Sequence, residues 1–339
     1  MKQRTRDFLN TPLEIGGRRI EKRLMLAPMS GLGHVAFREL LAAYGGYGLL
    51  FTEMCSAKSI PHENRHVSPV FRWRDTELSH LVCQLFGAEP DMMAAAARRV
   101  ASEGFFGVDL NFGCFVARIC KRNCGAALLR EPEQAVRIVE AVRQAVDMPL
   151  FVKFRTGWED RPELAVDLAR RFEAAGADAL TFHPRVAPDR RSRPPRWAYI
   201  RSVREAVGIP VFGNGNVFTG EDCEQMIEAT GCDGISLGRA AEAKPWVFSQ
   251  WADGAHFDIN AYPEMLANFM DRLEAHFDSA AAMRRFRKAA VYMAAFFRFG
   301  HSFHKKLRAA SDFSEARRTV AEFFRNAPEL SAQPNMNMF

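Results

Sequence analysis

The chain has 339 residues, 48% of them hydrophobic and 25% charged, with a formal net charge of +6 and a pI near 9.0. That length exceeds one minimal domain and fits a barrel of roughly 250 residues plus a smaller appendage. Ordinary composition argues against long disorder, no stretch approaches the roughly 18 apolar residues of a membrane helix, and the charged N-terminal segment lacks the apolar centre of a secretory signal.

In chain order, residues 12–23 carry a Gly16-Gly17 turn between two short extended pieces and read as a hairpin. Eight short apolar runs follow, at residues 24–27, 49–52, 81–86, 107–110, 150–153, 179–182, 211–213 and 234–237. Helical candidates lie between them at 90–102, 131–145, 161–174, 197–207 and 219–229. Pro132 sits in a first turn, where its missing N–H costs nothing, and Thr219 is a good N-cap. Eight strand–helix units predict a closed (β/α)8 TIM barrel, an α/β fold, rather than an open sheet. The hairpin then covers the barrel bottom. After about residue 255 the strand rhythm stops, and 261–277, 280–299 and 314–324 read as helices. The division expected is a barrel over residues 1–252 and an all-helical domain over 253–339. The polar tail from residue 331 is expected to fray.

Active sites of such barrels lie at the C-terminal strand ends. Those ends carry Pro28-Met29, Glu53, Gln84, Asn111 with Cys114, Lys153 with Arg155, His183 with Arg185, Asn214-Gly215-Asn216, and Gly238-Arg239. Each alone reads more readily as a polar residue entering a loop, but their recurrence in register reads as one site. The loops after strands seven and eight commonly bind phosphate. Glycines there let backbone N–H groups approach closely, and Arg239 adds a charge-assisted contact. Lys153 is either a snorkelling lysine or a fixed cation beside an anionic reduced flavin. Gln84 and His183 can hydrogen-bond a ring edge.

Cys114, Cys120 and Cys124 form a C-x5-C-x3-C pattern, which is not a standard metal spacing, so no metal is expected. The thiols read as structural, with a redox pair as the alternative. Arg185, Arg190, Arg191, Arg193 and Arg196 form one basic cluster. Arg284, Arg285, Arg287, Lys288, Arg298, His301, His304, Lys305, Lys306 and Arg308 form a second. Cations interleaved with apolar residues at helical spacing suit a phosphate backbone, against the alternative of a solvated face.

The segments LAPMSGLGHVAFRELLAAYGG, CQLFGAEP, GVDLNFGC with GAALLREPE, FVKFRTGW, HPR, GIPVFGNGNVF and TGCDGISLGRAAEAKPWVF together resemble the tRNA dihydrouridine synthase family, in the family's order and over nearly the whole chain. The resemblance implies an FMN-binding barrel followed by a helical RNA-binding domain. It implies that Pro28 and Met29 lie against the flavin ring, that Gln84, Lys153 and His183 contact its polar edge, and that Asn214, Gly215, Asn216, Gly238 and Arg239 hold the phosphate. Asn111, Arg155 and Arg185 would face the base, and Cys114 would be the proton donor. NADPH (or NADH) would reduce FMN. Hydride would pass to uracil C6 and a proton to C5, since cysteine thiols ordinarily titrate at about 8.5 and carry a proton at neutral pH. The implied partner is tRNA, met by the loop of residues 185–196 and the C-terminal helices of a cytoplasmic monomer without membrane association. Three departures touch the substrate side. Phe115 stands where the family usually has proline, Asn216 replaces an acid, and VAPDRRSRPPRW replaces a tyrosine-and-glycine loop. A small-molecule FMN reductase of the dihydroorotate dehydrogenase or ene-reductase kind, or a non-catalytic RNA-binding relative, are the competing readings.

Overall fold

The fold is described from a computed structural model, which describes residues 1–187, 189 and 193–339; Arg190 and Arg191 of the first basic cluster lie outside the described residues. A first helix, α1 (Gln3–Leu9), which the sequence reading missed, precedes the hairpin strands β1 (Leu13–Ile15) and β2 (Arg18–Ile20). The barrel strands are β3 (Leu24–Leu26), β4 (Leu50–Phe51), β6 (Leu81–Phe86), β7 (Gly107–Phe112), β8 (Leu150–Gly157), β9 (Ala179–Val186), β10 (Val211–Asn214) and β11 (Gly234–Leu237), with a short β5 (Cys55–Ser56) beside β6. They run parallel in the order β3-β11-β10-β9-β8-β7-β6-β4. The Met25–Leu49 bridge joins β3 to the β4 side and closes the ring. All eight apolar runs are thus strands.

Apolar side chains explain both ends of this ring. Ile15 and Ile20 of the hairpin pack with Met25, Leu49, Phe51, Val82, Phe151 and Phe212, plugging the end opposite the mouth. The outer helices α2 (Val35–Tyr44), α3 (Pro90–Ser102), α5 (Pro132–Ala145), α6 (Pro162–Ala174), α7 (Ala198–Ala206) and α8 (Gly220–Thr230) bury one face each. Helices α3, α5 and α6 start on proline, and α8 starts on Thr219, whose hydroxyl accepts from Asp222 N at 3.0 Å. A short α4 (Ala117–Cys120) sits in the loop after β7.

Beyond β11 the chain is helical: α9 (Arg239–Ala243), α10 (Val247–Ala252), α11 (Ala261–His276), α12 (Ser279–Ala294), α13 (Gly300–Ala309) and α14 (Phe313–Arg325). Two expectations are corrected here. The single helix expected over 280–299 breaks after Ala294. Phe299 is left-handed at φ +59°, and Gly300 lies so close to the Ala294 carbonyl that an added Cβ would come within 1.9 Å of it. The tail is not frayed either. Ser331 N donates to Phe296 O at 2.7 Å and Asn335 N to Ala295 O at 2.8 Å, and Phe339 stacks on Tyr292 at 5.2 Å. The tail's polar composition hid these contacts, which are all with residues more than thirty positions away in sequence.

The helices pack directly on the barrel. Phe269 of α11 stacks on His34 at 6.0 Å and meets Phe37 edge-on at 6.1 Å. One apolar cluster runs without a break from barrel residues such as Leu26 and Phe37 to Phe286 and Phe303.

Candidate active site at the barrel mouth

The strand ends meet around adjoining cavities. The first, of about 200 Å³, is walled by Pro28, Met29, Lys153, Arg155, His183, Asn214, Gly215, Asn216, Ser236, Gly238 and Arg239 among others. A second, of about 360 Å³, shares Pro28, Met29, Lys153 and Arg155 and adds Asn111, Cys114, Phe115, Lys288 and Tyr292. A third, of about 160 Å³, is bounded by Met29, Phe115, Arg155, His183, Arg185, Asp189, Arg239 and Tyr292. Every candidate except Glu53 and Gln84 therefore borders one of these spaces.

The first cavity has a tight cradle on one side. Gly215 has φ +121°, and a Cβ on it would sit 2.8 Å from the His183 ring. A Cβ on Gly238 would sit 2.8 Å from Met29 Sδ. Asn214 Nδ2 donates to Ser236 O at 2.7 Å, and Lys153 Nζ donates to Asn214 Oδ1 at 3.4 Å. The Ser236 hydroxyl is buried with no hydrogen-bond partner, a costly state unless something else meets it. Arg239 and Arg185 both donate to Asn216 Oδ1, at 2.6 and 3.2 Å. An aspartate at 216 would offset one of those two positive charges; the amide gathers them without doing so.

Electrostatics follow from this crowding of cations under low solvent exposure. Burial, then the charges of Arg155, Lys153, Arg185 and Arg239, push His183 well below its ordinary value, so its ring is neutral. Burial, reinforced by Arg155, lowers Lys153 to about 8. Burial raises Asp109 to about 7, against hydrogen bonding from Gln84 and the charge of Lys153.

The Cys114 side is built by a chain of amides. Gln84 Nε2 donates to Asp109 Oδ2 at 2.6 Å, and Asn111 Nδ2 donates to Gln84 Oε1 at 2.8 Å. Asn111 Oδ1 in turn accepts from Gly113 N and Cys114 N, at 3.2 and 3.0 Å. Fully buried Gln84 thus stands behind Asn111 and pins the Cys114 backbone through it. The loop returns at Gly125, φ +65°, where a Cβ would meet the Cys114 carbonyl at 2.4 Å. Cys120 Sγ donates weakly to that carbonyl at 3.6 Å, and Cys114, Cys120 and Cys124 are all free thiols.

The family model for dihydrouridine synthase (Dus) matches residues 25–330. The chain belongs to the dihydrouridine synthase family. It is similar to the probable tRNA-dihydrouridine synthase 1 of Synechocystis sp., at 37% identity over 70% of this chain and 67% of that protein. It is also similar to tRNA-dihydrouridine synthase B of Pseudomonas aeruginosa, at 31% identity over 92% and 96% of the two chains. Solved structures share the fold. The structure of TcOYE with pHBA superposes with a TM-score of 0.54 at 12% identity, over 74% of this chain and 94% of that one. Histamine dehydrogenase from Rhizobium sp. 4-9 superposes with a TM-score of 0.55 at 15% identity over 79% of this chain, which spans about half (51%) of its length.

In this dihydrouridine synthase the structure adds site residues that sequence reasoning missed. Ser236 and Asp109 were hidden inside apolar runs, Lys288 was counted only as part of a basic cluster, and Tyr292 was not singled out. The loop cluster is also less free than its charge suggests. Arg193 and Arg196 both bond buried Asp189, at 2.8 and 2.9 Å. Arg185 is itself buried, with Nε on the Arg193 carbonyl at 2.8 Å.

Proposed function

We propose that the protein is a tRNA-dihydrouridine synthase that takes FMN as cofactor and NADPH (or NADH) as reductant and saturates the C5–C6 bond of a uracil base in tRNA. The observation that carries this reading is the pairing of a cation-lined, glycine-walled cavity with a second cavity presenting Cys114. FMN suits the first cavity on three counts. The orphaned Ser236 hydroxyl needs a partner, the cradle at Gly215 and Gly238 has no room for side chains, and Arg239 with Lys153 suits anionic groups. Pro28 and Met29 would lie against the ring, and Lys153 with neutral His183 would meet its polar edge. Asn214, Gly215, Asn216, Gly238 and Arg239 would hold the phosphate.

The flavin, when bound and reduced, supplies the hydride that goes to uracil C6. The remaining work falls to the chain. Asn111 fixes the Cys114 backbone, and the Cys114 thiol gives its proton to C5. One hydride and one proton together saturate the double bond, and the thiolate left on Cys114 recovers a proton from water. Arg155 and Arg185 orient the base by charge-assisted hydrogen bonds. A base at this depth must leave its stack. Residues 1–252 act as the catalytic part. Residues 253–339 hold RNA, with exposed Arg284, Lys288, Lys305 and Arg308 meeting phosphates. These cations favour RNA over a small-molecule substrate.

Mass spectrometry of tRNA tests this. Cells lacking the gene should lose the +2 Da mark from one or a few uridines. Wild-type complementation should restore it and Cys114→Ala should not. Unchanged dihydrouridine in the deletion strain would refute the reading.

A further inference from the structure

The chemistry above uses Cys114 and leaves the residue beside it without a task. Phe115 is a large apolar side chain at the rim, 37% exposed. Its ring is held by the Arg155 guanidinium, 4.6 Å from the ring centroid, and Arg155 Nε is itself anchored on the Gly113 carbonyl at 2.8 Å. The ring borders both the cavity that holds Cys114 and the smaller one that holds Arg185. It therefore divides the mouth into two slots. Tyr292 borders the same two slots and is backed by Phe339.

We propose that Phe115 is a stacking shelf for the nucleobase next in the RNA chain to the target uridine, so that it sets which sequence contexts the enzyme accepts. This rests on the RNA-reducing reading given above. When a uridine is drawn into the Cys114 slot, its neighbour loses a stacking partner and exposes one face. A fixed aromatic ring replaces that lost stack, whatever the base, because every base has a π face. Arg155 borders both slots, Arg185 the smaller one and Lys288 the one that holds Cys114, and these cations suit the phosphates on either side of such a base.

The test uses the full-length holoenzyme and a tRNA transcript whose target uridine has been mapped, together with versions carrying an abasic ribose immediately 5′ or 3′ of that uridine. Melting temperature and flavin content of each variant are measured alongside. Phe115→Ala and Phe115→Leu should raise KM for intact tRNA about 5- to 150-fold, the range that stacking one base supplies. Phe115→Trp should stay close to wild type. One abasic tRNA should carry a matching penalty with wild-type enzyme and almost none further with Phe115→Leu. Equal abasic penalties in wild type and Phe115→Leu would overturn the shelf, as would wild-type behaviour of Phe115→Leu. If the wild-type enzyme reduces no RNA at all, the proposed function itself falls and the shelf falls with it.

Discussion

At Lys153 burial and a neighbouring arginine work against the charge that the site needs. Its ammonium titrates at about 8 rather than in the usual lysine range. It carries its proton at neutral pH and loses it as pH rises through about 8. Asp109, pushed up to about 7, is by then negative. The Lys153–Asp109 pair therefore passes from compensated to negative, and the cation-lined cavity loses one positive charge while Arg155 and Arg239 keep theirs. Affinity for reduced, anionic FMN should fall as pH rises through about 8, and Lys153→Met should bind weakly with that dependence abolished. Anaerobic fluorescence titration from pH 6 to 9.5 measures this, and a flat wild-type profile would count against a cationic Lys153. The lysine's position was legible in the sequence because it closes an apolar run. Its interaction with Asp109 was not, because an acid inside GVDL gives no sign of whether the adjacent strand offers it a cation. Asn216 is similar. The sequence shows an amide at this position, and only the structure shows that it collects Arg185 and Arg239.

Among the elements, strands were read best and the C-terminal segment worst, for one physical reason. A buried strand in a parallel barrel declares itself as a continuous apolar run. The break between α12 and α13 depends instead on Phe299 adopting a left-handed conformation beside Arg298, whose N donates to Glu329 O at 2.9 Å, far along the chain. The tail after α14 likewise depends on single contacts. Met336 Sδ accepts from Arg239 at 3.7 Å, and the Arg239 guanidinium lies 5.2 Å from the Phe339 ring. The tail thereby helps to hold the cation assigned to the FMN phosphate. A double variant, Met336→Ala with Phe339→Ala, should weaken FMN binding about 2- to 5-fold, the size of one exposed cation–π contact. Flavin fluorescence during titration of apo-protein reports this, and unchanged affinity would mean that Arg239 is positioned without the tail, with Asn216 and Phe218 (4.9 Å from the same guanidinium) among its remaining contacts.

At the level of the whole molecule, the apolar core is continuous from barrel to helices, and the helices bring Lys288 and Tyr292 to the mouth. The part assigned to RNA and the part assigned to chemistry therefore share one wall, which a division of the sequence near residue 252 does not convey. The net charge of +6 is too small to argue for RNA by itself. Its weight comes from exposed cations on α12 and α13, whereas two of the loop arginines are spent on Asp189. The central claim is that Cys114 delivers the proton while other residues hold the flavin. Anaerobic single-turnover oxidation of the reduced holoenzyme by unmodified tRNA tests it most directly. Cys114→Ala should bind FMN and be reduced by NADPH as wild type does, yet be oxidised by tRNA about 10²- to 10⁴-fold more slowly, the usual contribution of a positioned acid. Oxidation of Cys114→Ala by tRNA at the wild-type rate would contradict the account.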